Sequence, residues 1–381
     1  MELTEEHEAL RGVVEEFAQK EVAPAIADYY IQEKFPYPLV ATMGEMGLFG
    51  LPVPEEHGGM GGDYVALCVA LEELGRVDQS VAITLEAGVS LGIMPILRFG
   101  SDEQRQRWLP DLAAGRTLGG FGLTEAGGGS DASASRTTAT QDDDDWVING
   151  SKAFITNSGT DITSLVTVTA VTDRDAGTGK KELSAILVPA GTDGFTVAPS
   201  YSKVGWNASD THELAFSDVR VPVENLVGTR GRGYAQFLSI LDEGRVAIAA
   251  LATGAAQGCV DECLRYARER QAFGASIGSY QATQFRIAEM ETRTHLSRLA
   301  WHDAAERMAA GRPFKKEASI AKLVSSEAAM DNARDATQIF GGYGFMNEYP
   351  VARHFRDSKI LEIGEGTSEV QKMLIARHLG V

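Results

Sequence analysis

The C-terminal part of the sequence, from Gly233 onward, repeats apolar residues at the spacing of an α-helix, and only Pro313 and Pro350 interrupt the pattern. The pattern predicts three long helices, at residues 234–270, 280–310 and 315–340. Most of the stability of a helix in a protein comes from packing its apolar face, so helices of this length should pack against one another. The sequence therefore predicts a C-terminal helical bundle.

The first part of the chain is helical by the same criterion. Apolar residues recur at helical spacing in residues 4–22, 80–99 and 102–114. We expect the first of these helices to stop before Pro24, because proline lacks the backbone N–H that a helix interior uses. Asp63 precedes a further helical pattern and is expected to cap it.

From residue 118 the apolar period changes to two, which is typical of β-strands. Segments rich in Val, Thr, Ile and Phe follow one another between Gly and Asp turns and end near Pro222. Within residues 146–155, Asn149-Gly150 is the pair that favours a type I′ turn, so we expect a hairpin there.

Together these patterns predict an α+β fold. The predicted parts are an N-terminal helical domain at residues 1–117, a middle β-barrel or sandwich domain at 118–229 and a C-terminal four-helix bundle at 230–381.

The charge of the chain limits its partners. The 381 residues carry a formal net charge of -18, and nucleic acids and anionic membranes are bound by basic surfaces, so we expect neither as a partner. Residues 1–12 are acidic and no run approaches 18 consecutive apolar residues, so we expect no signal peptide, no membrane insertion and a cytoplasmic protein. Cys68, Cys259 and Cys263 are predicted to be buried thiols, and no metal site is expected.

Glu365 lies between Gly364 and Gly366, directly after an apolar run. Two glycines allow a sharp turn and a close approach of another molecule, so this turn could present a proton-abstracting base. The alternative is a plain turn with a solvated glutamate. Ser368, followed three residues later by Gln371, predicts a capping box that opens the last helix.

Two further segments could bind a ligand. Residues 121–131 contain three consecutive glycines followed by Ser130, which could offer N–H groups and a hydroxyl to a pyrophosphate; the alternative is a flexible interdomain turn. No βαβ unit or Gly-Lys-Ser/Thr accompanies them, so this is neither a Rossmann nor a P-loop fingerprint. At residues 154–159, Phe154 is either an aromatic binding face or a core residue.

Taken in order, these segments resemble the acyl-CoA dehydrogenase family of flavoproteins. The resemblance covers nearly the whole chain, and it is carried by residues 121–131, 203–221, 270–274, 338–344 and 365–371. It implies FAD lying between the β domain and the bundle, an acyl-CoA substrate, a homotetramer in which a neighbouring subunit reaches the adenosine end of FAD, and electron-transfer flavoprotein as the electron acceptor.

The resemblance also implies roles for individual residues. It makes Glu365 the catalytic base. The residues expected to bind FAD are Phe121, Leu123, Thr124, Gly129, Ser130, Phe154, Ile155, Thr156, Arg270, Phe273, Gln281, Gln338, Ile339, Phe340, Gly341, Gly342, Thr367, Ser368 and Glu369. The residues expected to contact the substrate are Ser130, Asp242, Glu243, Gly244, Arg245, Gly364 and Gly366.

The implied reaction is α,β-dehydrogenation of an acyl-CoA thioester to the trans-2-enoyl-CoA, in fatty-acid or branched-chain amino-acid catabolism. Glu365 would take the α proton and flavin N5 the β hydride. The alternatives are an acyl-CoA oxidase that uses oxygen and a non-catalytic flavin- or CoA-binding homologue. We expect no added C-terminal domain, which favours the dehydrogenase over the oxidase.

Some residues depart from the family pattern. Ala126 stands where Pro is common, Phe154 where Trp is common, Gln271 and Ala272 where Lys and Thr often occur, and Gly364 where Tyr is usual. Some members carry the base at the position of Gly244, so the role rests on Glu365 alone. We expect Gly364 and Gly244 to widen the pocket for short or branched acyl chains, unless a side chain from residues 83–91 refills the space.

Overall fold

The computed structural model describes residues 2–381 and shows seven helices in the N-terminal part. These are α1 (Glu5–Phe17), α2 (Ala23–Ile31), α3 (Tyr37–Glu45), α4 (Tyr64–Val77), α5 (Gln79–Glu86), α6 (Met94–Phe99) and α7 (Asp102–Ala113). Asp63 caps α4 as predicted, since its carboxylate accepts the N–H of Ala66 at 2.8 Å.

The prediction that the first helix stops before Pro24 is wrong. A π-helical segment, Ala18–Val22, continues α1 directly into α2. Pro24 then lies directly after the π segment inside a continuous helical stretch, and the altered hydrogen-bond spacing of that segment accommodates a residue without an N–H.

The stretch Gln79–Phe99, which contains α5, a π segment at Ala87–Ile93 and α6, forms the centre of this part. Within residues 2–381 it is the one helical stretch long and apolar enough to cross a membrane, and 89% of its apolar window is buried inside the protein. Such burial is typical of a core helix.

The middle part is one hydrogen-bonded sheet of eight strands. These are β1 (Leu118–Gly122), β2 (Thr138–Asp142), β3 (Asp145–Thr156), β4 (Thr163–Arg174), β5 (Lys181–Pro189), β6 (Phe195–Val197), β7 (Thr211–Pro222) and β8 (Leu226–Val227). Their order is β6-β7-β3-β2-β4-β5-β8, and β1 pairs with β4 in parallel.

The predicted hairpin turn at Asn149-Gly150 is wrong. Both residues lie inside β3, and the chain reverses instead at Asp143 and Asp144, between β2 and β3. Gly150 has φ 144°, and a Cβ there would lie 2.6 Å from the Thr137 hydroxyl, so the glycine serves a strand irregularity where another segment comes close.

The C-terminal part contains the three predicted long helices and two shorter ones. These are α8 (Gly233–Glu269), α9 (Gln281–Ala309), α10 (Lys315–Phe340), α11 (Pro350–Leu361) and α12 (Ser368–Leu379). A two-stranded ribbon, β9 (Gln271–Ala272) and β10 (Ala275–Ser276), follows α8. The mixed fold with a helical N-terminal part, a β middle part and a helical C-terminal part is confirmed.

Asp357 of α11 joins the three parts at a buried point. Its carboxylate accepts the Tyr30 hydroxyl at 2.6 Å and the Trp206 backbone N–H at 2.7 Å, from the N-terminal and middle parts respectively. Helix α11 is thereby fixed against both other parts, and it leads directly to the turn that carries Glu365.

Candidate active site

Glu365 lies on a tight turn between α11 and α12, as the sequence predicts. The Gly364 N–H donates to the Ile360 carbonyl at 2.8 Å, after which Glu365 takes φ 53° and Gly366 φ 98°. A left-handed conformation costs a residue other than glycine about 1–2 kcal/mol, so the surrounding contacts must hold the turn.

The capping box predicted at Ser368 and Gln371 is wrong by one residue. The N-cap of α12 is Thr367, whose hydroxyl accepts the Val370 N–H at 3.3 Å. Gln371 points back into the turn instead, and its side-chain NH₂ donates to the carbonyls of Gly366 at 2.9 Å and Glu365 at 3.3 Å.

The Glu365 carboxylate is enclosed by protein. The residue as a whole is half-buried, but both carboxylate oxygens are shielded from solvent and have no hydrogen-bond partner in residues 2–381. Helix α8 passes so close that a Cβ on Gly244 would lie 2.5 Å from one of these oxygens. Gly244 therefore makes room for the Glu365 carboxylate, which occupies the space that Gly244 was expected to add to the acyl pocket. A Cβ on Gly364 would meet only the Ile360 carbonyl, at 3.5 Å.

Two cations and one carboxyl group face Glu365. Burial raises the pKa of Glu365 to about 7, while Arg245 and Lys322 act in the opposite direction. The second carboxyl belongs to Glu86 of α5, which is fully buried; burial, and then the charge of Glu365, raise the pKa of Glu86 well above its usual range. Because Glu365 is the group facing the cations, it ionises before Glu86.

Sequence reasoning missed Glu86. Residues 83–91, which include Glu86, were expected only to supply a side chain that refills the acyl pocket beside Gly364 and Gly244. The available signal was an acidic residue in the middle of a long apolar helix, which is rarely buried without a partner or a function.

The predicted substrate residues of α8 are held in ion pairs. Arg245 is buried and bonds the Asp242 carboxylate, which also receives the Lys315 ammonium at 2.7 Å. Glu243 lies 3.2 Å from the guanidinium of Arg98 on α6. These pairs fix the part of α8 that lies beside Glu365.

Phe154 is not a core residue. Its φ is 61° and its side chain is 63% exposed at the end of β3, with the ring centroid 5.2 Å from that of Tyr201. Ile155 next to it is buried in the sheet, so the strand itself is anchored while the Phe154 ring faces outward.

The glycine loop after β1 is rigid at its base and open at its tip. Glu125 accepts bonds from the Ser135 hydroxyl, the Thr137 N–H and the Lys152 ammonium, the last at 2.8 Å. By contrast, Gly127 and Gly129 have open space where a Cβ would be. Before this loop, Phe121 and Leu123 are buried, and Phe121 stacks on Phe237 with centroids 3.8 Å apart.

A second group of predicted residues lies at the other end of α8 and α10 and is mostly exposed, although Phe340 within it is buried. Tyr266 stacks on Phe340 with centroids 4.0 Å apart, and the Arg270 guanidinium lies over the Tyr343 ring at 5.5 Å. Phe273 is 99% exposed. In residues 2–381 no hydrogen bond or ring contact joins this group to the Glu365 turn.

Comparison with known families accounts for this arrangement. Three family models match in succession: the acyl-CoA dehydrogenase N-terminal domain at residues 4–116, its middle domain at 120–219 and its C-terminal domain at 231–380. The chain belongs to the acyl-CoA dehydrogenase family. It is therefore an oxidoreductase, and FAD is its cofactor, since the members of this family are FAD-dependent flavoproteins.

Individual relatives agree over their full length. A probable acyl-CoA dehydrogenase of Bacillus subtilis is 47% identical over 378 residues, which is 99% of each chain. The butyryl-CoA dehydrogenase of Megasphaera elsdenii is 38% identical with a TM-score of 0.96, covering 100% of both chains. A chain from structural work on the electron transferring flavoprotein of Acidaminococcus fermentans is 40% identical with a TM-score of 0.96, covering 100% of this dehydrogenase and 99% of that chain.

The residues of the dehydrogenase have features that suit the binding of FAD. The outward Phe154 ring offers a flat apolar face for a ring system, and the open space at Gly127 and Gly129 lets backbone N–H groups approach a phosphate. The Ser368 hydroxyl and the Gln371 amide oxygen at the start of α12 are buried without partners in the described residues. A helix N-terminus with free polar groups suits a phosphate-bearing ligand.

Proposed function

We propose that this dehydrogenase converts a short-chain acyl-CoA thioester to the trans-2-enoyl-CoA, with Glu365 as the base that takes the α proton. The observation that carries the proposal is the enclosed Glu365 carboxylate, which has no hydrogen-bond partner in residues 2–381 and faces Arg245 and Lys322. Glu365 also has a left-handed backbone conformation, which only the contacts of the folded protein can maintain. A free carboxylate with a pKa near the working pH is what a general base requires.

The residues of this chain supply two parts of the reaction. The Glu365 carboxylate accepts the proton from the carbon next to the thioester carbonyl, and the electron pair left behind is stabilised as the carbonyl oxygen gains negative charge. The Glu365 backbone N–H, which donates to no acceptor in residues 2–381, is a suitable donor to that oxygen. FAD, when bound, supplies the acceptor for the hydride that leaves the β carbon.

Binding of FAD is assigned to two parts of the surface. The residues from Phe121 to Ser130 and from Phe154 to Thr156, with Thr367, Ser368 and Glu369, would hold the flavin and pyrophosphate. A second set of residues, near the C-terminal ends of α8 and α10, would complete the FAD site of a neighbouring subunit. The exposed members are Arg270, Phe273, Gln281, Gln338, Gly341 and Gly342, while Ile339 is half-buried and Phe340 is buried.

That division supports a homotetramer. Phe273 and Phe345 are 99% and 88% exposed, which is unusual for phenylalanine on a monomer surface and is relieved when a subunit covers them. We further propose electron-transfer flavoprotein as the acceptor and the cytoplasm as the location. The structural likeness to a chain studied with such a flavoprotein supports the former.

Short substrates are supported by two findings. A relative with the same fold over its full length is a butyryl-CoA dehydrogenase. In this chain the position next to Glu365 is Gly364, where a Cβ would meet only the Ile360 carbonyl, at 3.5 Å. This open position favours a short or branched acyl group over a long straight one.

A panel of thioesters tests the proposal. The FAD-loaded enzyme should be reduced anaerobically by butyryl-CoA and turn over with ferrocenium as acceptor, faster than with octanoyl- or palmitoyl-CoA. Reduction by no thioester would refute dehydrogenase activity, and fastest turnover with palmitoyl-CoA would refute the substrate class. Rapid reoxidation by air in place of the flavoprotein would identify an oxidase.

A further inference from the structure

Lys322 is a buried lysine that touches the catalytic turn. It lies on α10 with its side chain fully buried, and its ammonium group donates to the Gly366 carbonyl at 2.7 Å. No carboxylate lies within ion-pairing distance of it in residues 2–381. A buried ammonium group without an ion pair is costly, so its presence calls for a function.

We propose that Lys322 is the positioning residue of this site: its ammonium group holds the Gly366 carbonyl and thereby fixes the turn that presents Glu365. The inference rests on the role of Glu365 as base proposed above. It adds a residue that touches neither the substrate nor the reacting atoms and acts through the turn.

The geometry explains why the turn needs such a contact. Glu365 at φ 53° and Gly366 at φ 98° are held in conformations that relax unless the structure restrains them. Two donors converge on the Gly366 carbonyl, Lys322 from α10 and Gln371 from α12. The peptide between Gly366 and Thr367 is thereby held from two helices, and Gln371 also holds the preceding peptide through the Glu365 carbonyl. The turn fixed in this way directs the Glu365 side chain, which must fit beside Gly244.

Charge adds a second effect of the same residue. The groups that face Glu365 are Arg245 and Lys322, which favour its anionic form, and the buried Glu86 carboxyl. The groups that face Lys322 are Glu365, Glu362, Glu369 and Arg245, the last repelling it. Burial lowers the pKa of Lys322 to about 8, so it carries its positive charge at neutral pH and loses it as the pH rises further.

Three substitutions separate the two effects. Lys322→Arg keeps the charge and a donor, Lys322→Gln keeps a donor without the charge, and Lys322→Met removes both. Lys316→Met is the matched control, because Lys316 lies on the same helix, is 39% exposed at its side chain and pairs with Glu317 on the surface.

We expect Lys322→Met to lower kcat for butyryl-CoA by about tenfold or more, because the turn loses one hydrogen bond. KM should change less than threefold. The acid limb of its pH profile should move to higher pH, since a cation facing Glu365 is gone. Lys322→Gln should show the same shift of the acid limb but recover part of kcat. Lys322→Arg should recover both kcat and the parent's acid limb, and Lys316→Met should match the parent in both.

A measurement without substrate or cofactor tests the hold on the turn directly. Hydrogen–deuterium exchange of the peptide covering residues 362–371, in the protein stripped of FAD, should speed up in Lys322→Met and not in Lys316→Met. If Lys322→Met does not fold, the Gln and Arg variants decide the same question through the pH limb.

The outcomes are distinct for the two proposals. A parent enzyme that no thioester reduces overturns the proposed function, while the exchange experiment still decides whether Lys322 holds the turn. A parent that is active, with Lys322→Met unchanged in kcat, pH limb and exchange, overturns the role of Lys322 alone. Lost stability with an unchanged pH limb in every folded variant also overturns it, because a purely structural lysine predicts that result.

Discussion

Replacing Gly244 by alanine should damage catalysis without damaging the fold. The added Cβ would lie 2.5 Å from a carboxylate oxygen of Glu365 and 3.2 Å from its carboxyl carbon, whereas ordinary van der Waals contact begins at 3.4 Å. The oxygen must therefore move by about 0.9 Å, and it can do so because it is the far end of a flexible side chain.

The size of the effect follows from that displacement. A shift of about 1 Å in a catalytic group costs on the order of 100-fold in rate, which is ~2.7 kcal/mol in the barrier. Stability should change in the other direction, because alanine is favoured over glycine inside a helix by about 1 kcal/mol. The expected result is a loss of about 100-fold in kcat/KM with an unchanged or higher Tm.

The assay is anaerobic flavin reduction by butyryl-CoA in a stopped-flow instrument, together with thermal unfolding of the FAD-loaded enzyme. Gly12→Ala is the matched control: Gly12 lies in α1, and a Cβ there meets nothing within 4 Å. A Gly244→Ala enzyme that reduces its flavin within threefold of the parent rate would refute the packing of the base against α8. A fall in Tm would show instead that the backbone, and not the carboxylate, yields.

Further predictions concern the base and the pocket. Glu365→Gln should retain FAD but lose about 100-fold or more of its rate of flavin reduction by substrate, and a rate within about tenfold of the parent would contradict its role as base. Because burial raises the pKa of Glu365 to about 7, kcat/KM should fall about tenfold per unit as the pH drops below that value; a flat profile down to pH 5 would contradict it. Glu86→Gln should leave that limb within about half a unit, as expected for replacing the carboxyl that ionises second, and a larger downward shift would show that Glu86 is ionised when Glu365 titrates. Gly364→Tyr should lower the ratio of isobutyryl to butyryl turnover, and an unchanged ratio would exclude open space at that position.

Much of the fold was predictable because it depends on local patterns. The three long C-terminal helices and the cap at Asp63 follow from helical spacing and from the chemistry of one carboxylate beside free N–H groups. The errors at Pro24 and Asn149-Gly150 share a cause, since each residue pair has a strong local preference that its surroundings overrode. The π segment accommodates Pro24, and Thr137 comes so close to Gly150 that only a glycine fits inside β3 at that position.

The site divides in the same way. The order of the motifs identified the family, and the glycines around Glu365 indicated a turn that exposes a base. The residues that surround the Glu365 carboxylate could not be predicted from the sequence. Glu86, Gly244 and Lys322 lie on three different helices far apart in the chain, and nothing in their local sequence says that they meet.

The sequence by itself thus determined most of the elements, their order and the turn that carries Glu365, because helical and strand periods and the turn residues act over a few positions. Only the tertiary structure decided the environment of the Glu365 carboxylate. Burial, the two cations and the second carboxyl set the pKa of Glu365, and the approach of α8 sets where its carboxylate can point. These are effects of distance in space, and the packing of α5, α8 and α10 around one turn creates them.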